Sequence, residues 1–167
     1  RDLHSFPTRR SSDLEPVAKA FYSVVLDHSA SSVWGVIRSF GHYTWAGVTG
    51  ETTIEDGKAG DQVGAIRRFE GGDGIIRQIL LAHSDVDRSY TYAFCDPSAL
   101  AVRNYVATIR ITPVVESGKA FIEWFAEFDC AAEETDRWIA YFEKEGFAKW
   151  LSALRRFMSE DGTRQET

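Results

Sequence analysis

Cationic charge is scarce in this chain of 167 residues, where 19 Lys and Arg stand against 25 Asp and Glu for a formal net charge of −6. That balance offers no footprint for phosphates, so neither nucleic acid nor an anionic membrane surface is an expected partner. Long apolar runs are lacking too. The longest, around Ile75 to Ala82, is interrupted by Arg77 and Gln78, well short of the ~20 residues a spanning helix needs. Membrane insertion is therefore not expected. The only two cysteines, Cys95 and Cys130, have neither CxxC spacing nor the density of a disulfide scaffold, and they read as free thiols of a cytoplasmic protein. Four histidines, His4, His28, His42 and His83, lie in different segments without ligand spacing, so no metal and no other cofactor is expected.

What is present is a globular composition of about one domain's length, 44% hydrophobic and 13% aromatic. Residues 1–14 (RDLHSFPTRRSSDL) show neither helical nor alternating periodicity, resemble translated sequencing-adapter sequence, and are expected to be a disordered tail. One domain is expected over residues 15–159, followed by a frayed end over 160–167.

Within that domain, Val17 to Leu26 carries the β-branched and aromatic residues of a strand, ended by a polar cluster from Asp27 to Ser32. Ser29, Ser31 and Ser32 are candidate N-caps for a short helix on Val33-Trp34-Gly35-Val36-Ile37. Gly41 to Gly50 predicts a second helical turn or a loop. Strand signals then recur over Glu51 to Glu55, Gln62 to Phe69, Ile75 to His83, Ser89 to Phe94, Asn104 to Thr112 and Lys119 to Asp129. Turn residues separate them, including Asp56-Gly57, Gly71-Gly72-Asp73-Gly74 and Ser117-Gly118. From Glu133 to about Ser159 the apolar residues recur at helical intervals, predicting one long amphipathic helix. The order predicts an α+β domain built on an antiparallel meander.

Several pieces also stand in a telling order: Ser32-Val33-Trp34, Val63-Gly64-x-x-Arg67, Gln78-Ile79-Leu80-Leu81 through Asp85 to Arg88-Ser89-Tyr90, Asn104-Tyr105, and a Trp124 strand before the long helix. From Val17 to Met158 this resembles the helix-grip proteins of the START and Bet v 1-like superfamily (SRPBCC), in particular bacterial polyketide cyclase/dehydratase-like members. The resemblance implies a curved seven-stranded antiparallel sheet wrapped around the long C-terminal helix, with two short helices after the first strand. It also implies a deep, largely apolar cavity between sheet and helix.

Strand alternation supplies two sets of residues, and the resemblance selects the set facing that cavity. It favours Ala65, Arg67 and Phe69; Ile76, Gln78 and Leu80; Tyr90, Tyr92 and Phe94; Tyr105, Ala107 and Ile109; and Ile122, Trp124 and Ala126. Arg68, Thr108, Arg110, Glu123 and Glu127 fall on the opposite, solvated face. The helix would add Phe142, Gly146 and Trp150. Taken singly each aromatic reads as plain core; as a group they read as a cavity wall, because the hydroxyls of Tyr90, Tyr92 and Tyr105 need partners that water or ligand in a cavity would supply.

Arg67 is costly on a concave face unless it meets a carboxylate, a carbonyl or a ligand oxygen, expected near the cavity mouth; a structural pairing is the alternative. Many relatives carry glutamate at the position of Gln78. An amide hydrogen-bonds but exchanges no proton near neutral pH. At Trp45, near the place of the cavity lysine of the plant hormone receptors, a stacking or lid contact is expected. Gly71 to Gly74 lacks the spacing of a phosphate loop and reads as a flexible gate; the resemblance implies that it borders the ligand entrance together with Asp96 to Arg103. Cys95 reads as an ordinary thiol rather than a nucleophile. The expected function is binding of a small hydrophobic or aromatic molecule through Trp45, Arg67, Phe69, Gln78, Tyr90, Tyr92, Tyr105, Trp124, Phe142, Gly146 and Trp150. One alternative is a cyclase, dehydratase or isomerase with Arg67, Tyr92 and Tyr105 as candidate catalytic residues. Another is a co-chaperone-like interaction module using the outer sheet face.

Overall fold

The computed structural model describes residues 17–164 except 49, 72 and 73, and of 161–164 only the backbone. Residues 1–14, and the middle of the expected gate, lie outside the described residues. The first strand, β1 (Ala18–Leu26), is followed by helix α1 (Ala30–Ile37) and a single 3-10 turn (Thr44–Ala46). Six strands follow: β2 (Thr53–Ile54), β3 (Ile66–Gly71), β4 (Gly74–Ser84), β5 (Ser89–Phe94), β6 (Arg103–Val114) and β7 (Lys119–Asp129). All pair antiparallel in one open sheet of seven strands in the order β1-β7-β6-β5-β4-β3-β2. Among the described residues, no helix is long and apolar enough to cross a membrane.

Local chemistry explains most of these boundaries. Of the three serines preceding α1, Ser29 is the cap, its Oγ accepting from the Ser32 N–H at 3.1 Å. β3 starts at Ile66 rather than Gln62, because Gly64 at φ 86 turns the chain and the Ala65 N–H bonds back to the Gln62 carbonyl. β2 contracts to two residues, since Asp56 and Gly57, both at positive φ, turn the chain directly after it. The β4–β5 ladder slips between Leu80 and Ala82, which swings His83 opposite Tyr90, where the two rings stack. A bulge of this kind inverts the alternation downstream of it.

The C-terminal segment is a composite. A 3-10 turn (Ala132–Glu134) leads into α2 (Thr135–Ala140), a π-helical stretch (Tyr141–Ala148) and α3 (Lys149–Arg164). Inward-facing residues run Trp138, Phe142, Phe147, Leu151, Leu154 and Met158. The wide π turn accommodates the five-residue step from Phe142 to Phe147 and keeps both on the sheet side. The helix also continues past Ser159, whose hydroxyl donates to the Arg155 carbonyl one turn back at 2.8 Å instead of breaking the helix.

Edge strand β1 would otherwise leave backbone groups unpaired, and this helix covers two of them. Glu143 Oε1 accepts from the Phe21 N–H at 3.0 Å, and Arg155 Nη2 donates to the Val25 carbonyl at 3.3 Å.

A second clamp joins α1 to the β4–β5 turn. Asp85 accepts from Arg38 Nε at 3.0 Å, from Arg38 Nη2 at 2.9 Å and from the Trp34 indole at 2.8 Å. The Arg38 bond first, then that of Trp34, lowers the Asp85 carboxyl to about 2. A lowered folded-state pKa contributes stability that is complete above the unfolded value of about 4 and is lost as pH falls through the folded value. Denaturant unfolding of the parent and of Asp85→Asn should therefore differ most above pH about 4 and converge by about 2. A difference that does not change across that interval would refute the clamp.

Candidate functional site

The residue sets that the resemblance assigned to the concave face correspond to burial. Ala65, Arg67, Phe69, Gln78, Leu80, Tyr90, Tyr92, Tyr105, Ala107, Ile109, Ile122, Trp124 and Ala126 are all buried, whereas Arg68, Arg110 and Glu127 are exposed. Arg67, on β3 beside the edge strand β2, is 0% exposed rather than open at a cavity mouth. Its guanidinium carbon lies 3.9 Å from the Tyr43 ring centroid and 4.1 Å from that of Phe40, with Tyr92 at 5.1 Å. Nε donates to Gln78 Oε1 at 2.7 Å and Nη1 to the Phe40 carbonyl at 3.2 Å. Among the described residues no carboxylate pairs with it, so the aromatic rings and two neutral oxygens hold the charge.

The buried core also holds polar atoms that make no hydrogen bond among the described residues: Arg67 Nη2, the Tyr43 and Tyr90 hydroxyls and the Trp45 indole N–H. Burial raises the phenols of Tyr43, Tyr90, Tyr92 and Tyr105, and the nearby Arg67 charge opposes that rise only in part. Each stays protonated at neutral pH. Tyr92 also accepts from the Trp124 indole at 3.2 Å.

Beside this core, a pocket of about 390 Å³ opens between sheet and helix. Phe69, Ile76, Gln78, Phe94 and Tyr105 form its sheet wall. Tyr141, Phe142, Glu145, Gly146, Lys149 and Trp150 form its helix wall. Ala46, Gly47 and Val48 close one side, with Gly71 at the end of β3 and Leu100 on the loop between β5 and β6 flanking it.

The structure thus divides the residues named from the sequence. Phe69, Gln78, Tyr105, Phe142, Gly146 and Trp150 line the pocket; Trp45, Arg67, Tyr90, Tyr92 and Trp124 lie outside its lining. Trp45 is no lid. It is 1% exposed, packed edge-on against Tyr43 with centroids 5.3 Å apart and against Trp124 at 6.1 Å. Gln78 is the hinge of the arrangement, because it both lines the pocket and binds Arg67. Glu145 and Lys149 went unnoticed in the sequence because they read as the solvated face of the helix; Phe147 went unnoticed because a regular α-helix turns it away from Phe142.

Proton-transfer chemistry is sparse in the lining. The carboxylates and amine that touch the pocket, Glu70, Glu145 and Lys149, belong to exposed residues at its rim. Cys95 lies elsewhere, its thiol pushed up by burial rather than activated. Among the described residues, no group of three His, Cys, Asp or Glu is placed to hold a metal ion.

A seven-stranded antiparallel sheet gripping a long C-terminal helix, with a pocket between the two, defines a helix-grip protein of the Bet v 1-like class. Residues 18–160 match the model of the polyketide cyclase/dehydrase and lipid transport family, and the chain belongs to that family. Among solved structures, it is similar to a protein of Thermobifida fusca at 26% identity, with a TM-score of 0.72 over 82% of this chain and 90% of that one. An uncharacterized protein of Bacillus thuringiensis is 25% identical, with a TM-score of 0.71 over 83% and 97% of the respective chains. Norcoclaurine synthase from Thalictrum flavum, solved with dopamine and hydroxybenzaldehyde, shares the fold at 14% identity, with a TM-score of 0.70 over 96% and 98%. No curated protein matches the chain.

Proposed function

We propose that the protein binds a small hydrophobic or aromatic molecule in the pocket between sheet and helix. One observation carries this reading: a space of about 390 Å³ remains open inside a wall of Phe69, Ile76, Phe94, Leu100, Phe142 and Trp150, beside a core in which Trp124, Phe147 and Trp150 are in ring contact. Ligand pockets have this size and this mix of apolar wall and few polar groups. The enzymatic alternative receives less support from the same lining. Gln78 cannot exchange a proton, and the Tyr105 phenol, raised by burial and by its neighbour Tyr92, is a donor but no base at neutral pH.

Gly146 provides the test. A Cβ built there meets nothing closer than the Trp150 ring at 3.7 Å, an ordinary contact, so a larger side chain would project into the pocket without straining the backbone. Titrating the neutral naphthalene fluorophore prodan into the parent should raise its emission and shift it to the blue. Gly146→Leu should weaken that binding by about tenfold or more with its melting temperature preserved. Equal binding by a folded Gly146→Leu variant would place the probe elsewhere and overturn the proposal.

A further inference from the structure

We infer that the pocket selects a ligand carrying a neutral carbonyl oxygen, which accepts a hydrogen bond from the amide NH2 of Gln78, and that it discriminates against carboxylates. This rests on the ligand-binding reading above and assigns the ligand's polar group.

The first step is the orientation of the amide. A guanidinium only donates, so the Gln78 atom 2.7 Å from Arg67 Nε is the amide oxygen, and the end left over is the NH2. No acceptor among the described residues takes that NH2, and Gln78 lines the pocket. The buried cation draws electron density through the Gln78 oxygen, which strengthens the opposite end as a donor. Tyr105 brings the other hydroxyl of the sheet wall, and its ring lies against that of Tyr92 with centroids 6.3 Å apart. Gln78 also pairs with Phe94 across the β4–β5 ladder, and Phe94 stacks on Tyr105 with centroids 4.0 Å apart and planes 9° apart. A donor therefore sits at the end of a flat aromatic row, suited to a ring that bears a carbonyl.

The second step is the exclusion of charge. A carboxylate in an apolar pocket needs a cation of its own. Arg67 is fully buried, outside the lining, with Gln78 on its Nε. Lys149 is the cation among the lining residues, exposed at the rim, with the carboxylates of Glu70 and Glu145 also there. The rim thus holds two negative groups against one positive and offers an entering anion no net attraction.

Three naphthalenes of similar shape separate the cases: 2-acetylnaphthalene, 2-ethylnaphthalene and 2-naphthoate, titrated at neutral pH into the full chain and into Gln78→Glu. The variant suits the purpose because its carboxylate, kept ionised by Arg67, still accepts from the guanidinium but has no hydrogen to give the ligand. The ketone should bind the parent about tenfold or more tighter than naphthoate, and should lose about tenfold in Gln78→Glu. Ethylnaphthalene should stay within about twofold in both proteins. If ketone and hydrocarbon respond alike to Gln78→Glu, the carbonyl assignment falls while the pocket reading stands. If none of the three binds the parent, the pocket reading itself falls and takes the assignment with it. Should the variant fail to fold, the parent alone decides, since naphthoate binding as tightly as the ketone overturns the inference.

Discussion

Trp124→Ala should lower the unfolding free energy by about 4 kcal/mol, the range for removing a large aromatic from a filled core. Trp124 is fully buried on β7, between Tyr22 of β1 and Ile109 of β6. Its indole stacks on Phe147 at 5.1 Å, tilts against Trp150 at 5.2 Å and donates to the Tyr92 hydroxyl. Alanine would therefore leave a void at the contact between sheet and helix and take a donor from a buried phenol. Phe142→Ala makes the internal comparison, because Phe142 lines the pocket and its loss enlarges a space that already exists. Chemical denaturation of both variants checks the ordering. A smaller loss for Trp124→Ala than for Phe142→Ala would mean that the pocket and the solid core have been assigned the wrong way round.

The second large effect concerns Arg67. Arg67→Ala strands Gln78 Oε1 and the Phe40 carbonyl without donors and removes the plane between the Phe40 and Tyr43 rings. Orphaned buried acceptors and a side-chain-sized void together should cost about 3 kcal/mol or more. Arg67→Met should recover a substantial part of this, since it refills the volume and no longer desolvates a charge that lacks a carboxylate partner. Urea unfolding of the parent and both variants measures the two contributions. An Arg67→Ala variant within about 1 kcal/mol of the parent would show that the guanidinium does not hold the core together.

The opposition of Arg67 and Gln78 was within reach of the sequence. Once the glycine turn pairs Gly71 with Gly74, the antiparallel register sets Arg67 opposite Gln78. Their separate roles were not: both fall on the concave face by alternation, and alternation carries no depth. Only the packing of Phe40, Tyr43 and Phe69 shows that the guanidinium is enclosed while the amide reaches the pocket.

The choice of which strand face meets the core, and the grip of the sheet on the C-terminal helix, came from the family resemblance; by itself the sequence determined the strand segments, their antiparallel meander, the two alternating faces of each strand and the long amphipathic helix. These follow from periods of two and of three to four residues, which are local properties of the chain. Tertiary structure decided what breaks those periods. The slip after Leu80 brings His83 onto the core side, and the π turn puts Phe147 against Trp124 and leaves Gly146 facing open space. It also put Trp45 into the core rather than over the entrance. Where a large aromatic ends up depends on the volume left by residues distant in the chain, and a local pattern does not encode that volume.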